Sequence, residues 1–280
     1  VNSEIFYFSG TGNSLYVAKE LQRVLPGSRL TPIISLAEDE KIVVNSEVVG
    51  LVFPVHGFTL PYTVNDFLQR ADLNHSKYIF SVATKGGSPD QVMEEMSKLL
   101  RKSGKSLSAH FSITMFTNDC MFKCPYDHES FVPTEEMVSE MRDKIDRRVK
   151  VIGKRVRNRE QHLEGDEDHK YEVSPLIQNA SILFLRLLGG RNIEGSFYAN
   201  ESCVGCGLCE DICLANRIEI IDSVPHWAEE IYCHRCYACL NGCPRQAIQI
   251  TSKWYKPSFT EEQDRYPHPF ATLREIKGQK

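Results

Sequence analysis

Eight of the ten cysteines fall in two runs of one spacing, "CVGCGLCEDIC" at 203–213 and "CHRCYACLNGC" at 233–243. Both read C-x2-C-x2-C-x3-C, and corresponding residues lie 30 positions apart, so the segment is an internal duplication. A cubane iron–sulfur cluster needs four converging thiolates. Three come from one tight loop, and the cysteine after the longer gap points to the neighbouring cluster. That logic groups Cys203, Cys206 and Cys209 with Cys243, and Cys233, Cys236 and Cys239 with Cys213, as ligands of two adjacent [4Fe–4S] clusters. Structural zinc prefers two cysteine pairs separated by a longer gap, and a disulfide scaffold needs an oxidising compartment.

A second constellation lies near the N-terminus, in "FYFSGTGNSLYVAKEL". Ser9, Thr11, Gly12, Asn13 and Ser14 stand between a strand pattern and a helix pattern. Small residues let the backbone curl until several N–H groups face one anion, and the helix N-terminus adds partial positive charge. The loop has no lysine: Asn13 follows Gly12 where a nucleoside triphosphate loop would carry one. Leu15 stands where a dinucleotide fingerprint would carry its third glycine. A lysine-free, hydroxyl-rich nest suits a phosphate monoester, although a purely structural turn uses the same residues.

The elements that must position these residues alternate. "EIFYF" reads as a strand, and Leu15, Ala18, Leu21 and Leu25 have helical spacing. The apolar runs 47–55 and 78–84 suit strands buried on both faces. Helices are expected near 61–71 and 89–103, with a further strand within 108–116. Such alternation means an α/β fold with a parallel sheet. A long helix is expected over 134–160, capped by Thr134, with Glu135 and Glu136 in its first turn and an apolar stripe of Met137, Met141, Ile145, Ile152 and Val156. "EGDED" at 164–168 reads as a solvated link, and 176–188 as an amphipathic helix packing one half on the other. The tail, with Trp254, Tyr255, Pro257, Pro267 and Pro269, is expected to be an irregular, partly disordered strap.

The cysteine segment resembles a bacterial-type two-cluster ferredoxin, and "CPRQAIQI" at 243–250 matches that family after its last cysteine. Leu214 follows Cys213 where the family carries proline, a change that removes no ligand. The glycine loop resembles the phosphate loop of flavodoxins. That resemblance implies a doubly wound, five-stranded parallel sheet of order 2-1-3-4-5. It also implies flavin mononucleotide (FMN), with the ring bracketed by "PVHGFTLP" (Pro54, Val55, His56, Gly57, Phe58) and "ATKGGSPD" (Ala83, Thr84, Gly86, Gly87). His56 and Phe58 would flank the ring, with His56 as a core or surface histidine the competing reading.

Together the two resemblances describe a flavodoxin–ferredoxin fusion, a family widespread in anaerobic microbes. The implied layout is a flavodoxin-like domain at 1–160, a linker and connecting helix at 161–195, an α+β two-cluster domain at 196–251 and a tail at 252–280. In that family the fifth strand ends in a Met-Pro-x-Asn-Tyr-like loop. Here it reads "MFTNDCMFKCPYD": Asn118 corresponds, whereas Phe116 and Asp119 depart. Cys120 and Cys124 lie in that loop, either as redox-active or substrate-contacting thiols or as two free thiols filling space.

Composition narrows the class. A formal charge of −4 argues against nucleic acid as the main partner. No apolar run reaches transmembrane length, and the N-terminus lacks a signal-peptide pattern. The cysteine usage points to a reducing, cytoplasmic compartment. Residues 201–251 carry seven acids against three arginines, a face that would steer toward a basic redox partner or simply keep the segment soluble. The run 142–159 holds nine Lys/Arg against two acids, a solvated helix face or a dock for an acidic partner, including the cluster segment itself. Three functions remain open: an electron carrier between larger enzymes, a flavin-dependent reductase of a small molecule or disulfide using candidates such as His56, Asp119, Cys120 and Cys124, and a redox sensor without turnover.

Overall fold

The computed structural model describes residues 2–57, 59–86, 90–118, 132–164, 180, 183, 197–250 and 265–280. Five parallel strands form the N-terminal sheet: β1 (Ser3–Tyr7), β2 (Arg29–Pro32), β3 (Val48–Pro54), β4 (Tyr78–Lys85) and β5 (Ala109–Thr114). Their spatial order is β2-β1-β3-β4-β5, the flavodoxin-like 2-1-3-4-5 arrangement. Every residue of β1 and β4 is buried, which is why both read as largely apolar runs. The charged residue inside β1 is Glu4, whose carboxylate accepts from Thr31 and pairs with Arg29, each at 2.6 Å.

One face of the sheet is covered by α1 (Asn13–Val24) and α4 (Glu135–Arg157), the other by α2 (Tyr62–Arg70) and α3 (Asp90–Lys102). Thr134 caps α4 by accepting from the Met137 N–H at 3.3 Å. The stripe of α4 meets the core through Ile145, Val149, Ile152 and Val156, whereas Met137, one turn from the cap, is exposed. Its basic residues fasten α4 locally: Arg157 donates to the Val24 carbonyl, Arg159 pairs with Glu47, and Arg142 donates to the Pro269 carbonyl. The connecting helix expected at 176–188 lies outside the described residues, apart from 180 and 183.

The cysteine segment folds as two small antiparallel pairs. β6 (Phe197–Ala199) pairs with β9 (Ile248–Ile250), and β7 (Ile218–Ile221) pairs with β8 (Val224–Trp227). Asp222 and Ser223 both have positive φ, as a two-residue hairpin turn of the primed type requires. The duplication extends to the backbone. Left-handed residues recur at Gly205 and Arg235, at Gly207 and Tyr237, and at Asn216 and Gln246, each pair one repeat apart. Four of these six are not glycine, at a cost of about 1 kcal/mol or more each, so the path that brings the cysteines together overrides local preference.

The modules share a core. Ile212, Leu214 and Ala238 of the cysteine segment, with Ile276 of the tail, join the apolar cluster on the α2–α3 side of the sheet. Burying each aliphatic side chain is worth about 1.5–3 kcal/mol.

Candidate functional site

Each run presents its third cysteine on a one-turn helix, α5 (Leu208–Asp211) for Cys209 and α6 (Ala238–Gly242) for Cys239. Cys203, Cys206, Cys209 and Cys243 line one cavity, walled by apolar residues including Ile220 and Ile248. Burial pushes the Cys209 thiol up to about 11, and the neighbouring charges that raise it further are Cys243 and Cys203. Burial likewise raises Cys236 to about 12 and lifts Cys233 and Cys239, and all three also feel Cys213. The first crossed set expected from the spacing shares one cavity, and Cys213 is among the charges felt by the second, with Cys209 also acting on Cys239. Backbone N–H groups of Arg217 and Ala247 donate to the sulfurs of Cys213 and Cys243, both at 3.3 Å and again one repeat apart, while Arg235 donates to Cys233 at 3.4 Å. Such donors stabilise thiolate, so the sites fit two cubane clusters, and loading them displaces thiol protons.

The two sites differ in access. Cys206 is exposed, and Val204 beside it is 63% exposed. The second loop turns inward. Cys236 packs into the main core near Phe8, and the His234 ring lies 6.1 Å from Phe8, edge to face. The rings of Tyr62 and Tyr232 meet at 4.2 Å across the same seam, tilted by 38°.

At the C-terminal edge of the sheet, the ends of β1, β3 and β4 are neighbours, so the three loops expected to hold FMN share one edge. Ser14 Oγ and Thr84 Oγ1 are 2.8 Å apart, and the Val55 N–H donates to the Thr84 carbonyl at 2.9 Å. His56 and Thr59 close a tight turn through both backbone groups, with Gly57 in the left-handed region. Burial, with help from Arg235 and His234, lowers the His56 imidazole to about 4, so it is neutral at pH 7. Phe58, Gly87, Asp119, Cys120 and Cys124 lie outside the described residues.

The glycine loop passes a specific test for an anion. Gly12 precedes α1 in a left-handed conformation, φ 97°, and no side chain caps the helix. Among the described residues, none supplies an acceptor to the N–H groups of Asn13, Ser14 or Leu15, although these residues are buried. A buried helix start without partners is costly unless a ligand completes it.

The loop's two glycines also have neighbours that sequence reasoning missed. A Cβ on Gly10 would lie 2.1 Å from the Cys236 carbonyl oxygen, and one on Gly12 would lie 2.5 Å from the Ala271 Cβ. A polar network crosses the junction: Asn118 donates to Thr11, Asn241 to the Asn118 carbonyl at 3.1 Å, and the Tyr266 hydroxyl to Asn13 at 2.6 Å. Residues 265–280 are more regular than Pro267 and Pro269 suggest, while Trp254, Tyr255 and Pro257 lie outside the described residues. The tail ends in α7 (Leu273–Lys277), whose Thr272–Glu275 capping box was the available local signal.

Residues 202–248 match the family profile of the 4Fe-4S dicluster domain. Among solved structures the chain is similar to a putative flavoprotein from Bacteroides uniformis, at 15% identity over 40% of this chain and 89% of that one, TM-score 0.33. It is similar to the two-electron reduced flavodoxin of Megasphaera elsdenii, at 17% identity over 40% and 85%, TM-score 0.31. It is also similar to an FMN-dependent NADH-azoreductase from Bacillus anthracis, solved with FMN, at 7% identity over 56% and 99%, TM-score 0.35. No curated protein matches the chain. The strand order, rather than these scores, makes the N-terminal layer flavodoxin-like.

The chain thus joins a flavodoxin-like layer to a 4Fe-4S dicluster domain, the arrangement of flavodoxin–ferredoxin fusions. It is an iron–sulfur redox protein. Among its described residues no helix is long and apolar enough to cross a membrane.

Proposed function

We propose that the chain passes electrons between two [4Fe–4S] clusters and one FMN, and so couples one-electron carriers to flavin chemistry. When bound, the clusters supply single-electron steps and the flavin one- or two-electron chemistry. Cys203, Cys206, Cys209 and Cys243 would hold the cluster nearer solvent. Cys233, Cys236, Cys239 and Cys213 would hold the one nearer the flavin. The N–H groups of Asn13, Ser14 and Leu15 would hold the phosphate, and the loops at 54–57 and 83–86 would bracket the ring. The observation that carries this reading is the seating of the Cys236 backbone on Gly10, which puts a cluster ligand against the phosphate loop. A first site with one exposed cysteine and a second with none give the direction of access: a protein partner meets the run beginning at Cys203, and the flavin meets the run beginning at Cys233.

Anaerobic preparation with iron, sulfide and flavin is expected to give about eight irons, eight sulfides and one FMN per chain, the metal count following from two cubanes. Stepwise reduction should bleach the flavin together with the clusters. Protein that takes up iron and no flavin would refute the reading.

His56 has a narrower expectation. Its imidazole carries no proton to give at neutral pH, because burial holds it near 4. A His56→Gln variant should therefore keep the wild-type pH profile of electron transfer to any small acceptor between about pH 6 and 8. A titration in that window that disappears in the variant would restore His56 as an acid–base group.

A further inference from the structure

We propose that residues 265–280 form a displaceable cover over the phosphate loop, latched by Gln279, which must lift for the phosphate end of FMN to enter or leave. The proposal rests on the FMN reading and adds a gate to it.

The fully buried Gln279 side chain occupies both backbone groups of Ser9: its Nε2 donates to the Ser9 carbonyl at 2.7 Å, and its Oε1 accepts from the Ser9 N–H at 3.1 Å. His268 Nδ1 meets the Thr11 carbonyl at 3.0 Å. Ala271 fills the space beside Gly12, and Phe270 packs on Tyr16 and Phe116. Thr11 and Ser14 are each left only 1% exposed. The N–H groups at the start of α1 nevertheless have no acceptor among the described residues. A donor array suited to an anion is therefore sealed from solvent, and a phosphate monoester reaches it only if a wall moves.

Of the walls formed by described residues, two are fixed. Val17 and Ala18 are fully buried and hold α1 to the sheet, and the cysteine loop at Gly10 is held by the buried side chains of Ile212, Leu214 and Ala238. The third wall is extended chain and a short helix. Its outer side is fastened by Lys19–Glu275 and by Lys277–Asp211 at 2.8 Å, ion pairs with both partners substantially exposed. Pairs of this kind hold weakly and open readily. Ile276, fully buried in the main core, gives the cover a seat to return to.

The test is the kinetics of FMN binding, followed by quenching of flavin fluorescence, on cluster-loaded, flavin-free full-length protein. Gln279→Ala removes the latch and should raise both the association and the release rate constants about tenfold, the scale of losing buried hydrogen bonds. Lys19→Met loosens the outer fastening without touching the loop and should raise both about threefold. It also keeps the test decisive should the first variant fold poorly. Faster release with unchanged association would make Gln279 a simple binding residue and overturn the gate, as would unchanged rates in both variants. If wild type and variants alike take up no FMN, the flavin reading falls and the gate falls with it.

Discussion

Exchanging Cys213 for serine is expected to destroy the cluster of the second run and spare that of the first, while Cys243→Ser should do the reverse. The reason is the crossing. Cys213 follows the first loop in sequence, yet its charge raises the thiols of Cys233, Cys236 and Cys239, whereas Cys243 and Cys203 raise that of Cys209, and Cys209 adds to Cys239. The cavity walled by Cys203, Cys206, Cys209 and Cys243 shows the same grouping independently. Each variant should fall from about eight irons to about four, and alanine at either position should behave alike, which excludes ligation by the serine oxygen. The functional consequences differ. Cys213→Ser removes the cluster seated against Gly10, so flavin reduction by a protein donor should collapse while the outer cluster still takes electrons. Cys243→Ser should leave an inner cluster that small, strong reductants can still fill. Loss of the first run's cluster in Cys213→Ser would reject the crossed assignment.

Legibility in the sequence followed the range over which each signal is written. The strands Val48–Pro54 and Tyr78–Lys85 announce themselves because a strand covered on both faces must be largely apolar. The strand Arg29–Pro32 does not: it lies at the sheet edge, carries an exposed arginine and ends in proline, so no apolar run marks it. The candidate cluster cysteines are legible because cluster geometry dictates local spacing, and the second copy repeats the first. The cover is not. Gln279 meets Ser9 from 270 residues away, and no local pattern encodes a contact at that separation. The glycines of the loop show the same limit. Their smallness is evident from the sequence, and an anion explains part of it, but the atoms that press on Gly10 and Gly12 belong to Cys236 and Ala271.

Gly10→Ala should separate the redox modules. Gly10 is not among the residues with positive φ, so alanine meets no dihedral objection there and its effect is purely one of contact. The new methyl would sit 2.1 Å from the Cys236 carbonyl oxygen and 2.5 Å from its Cβ. The oxygen is backbone, and the Cβ belongs to a cluster ligand, so neither can swing aside as the end of a flexible side chain would. The cysteine loop must then lift from β1, against the buried packing of Ile212, Leu214 and Ala238. Overpacking of this kind costs about 1–3 kcal/mol, enough to lower Tm by about 5 °C in a protein of this size. The larger effect falls on electron passage, which slows steeply as donor and acceptor part. Flash or stopped-flow reduction of the clusters, followed by the rate of flavin bleaching, should show that step slowed far more than FMN affinity is weakened. Gly27→Ala, where no atom lies within 4 Å of the added carbon but the backbone stands at φ 84°, is the converse case, dihedral strain without a contact. Full-speed flavin bleaching in Gly10→Ala would mean that the contact with Cys236 does not set the distance between the two centres.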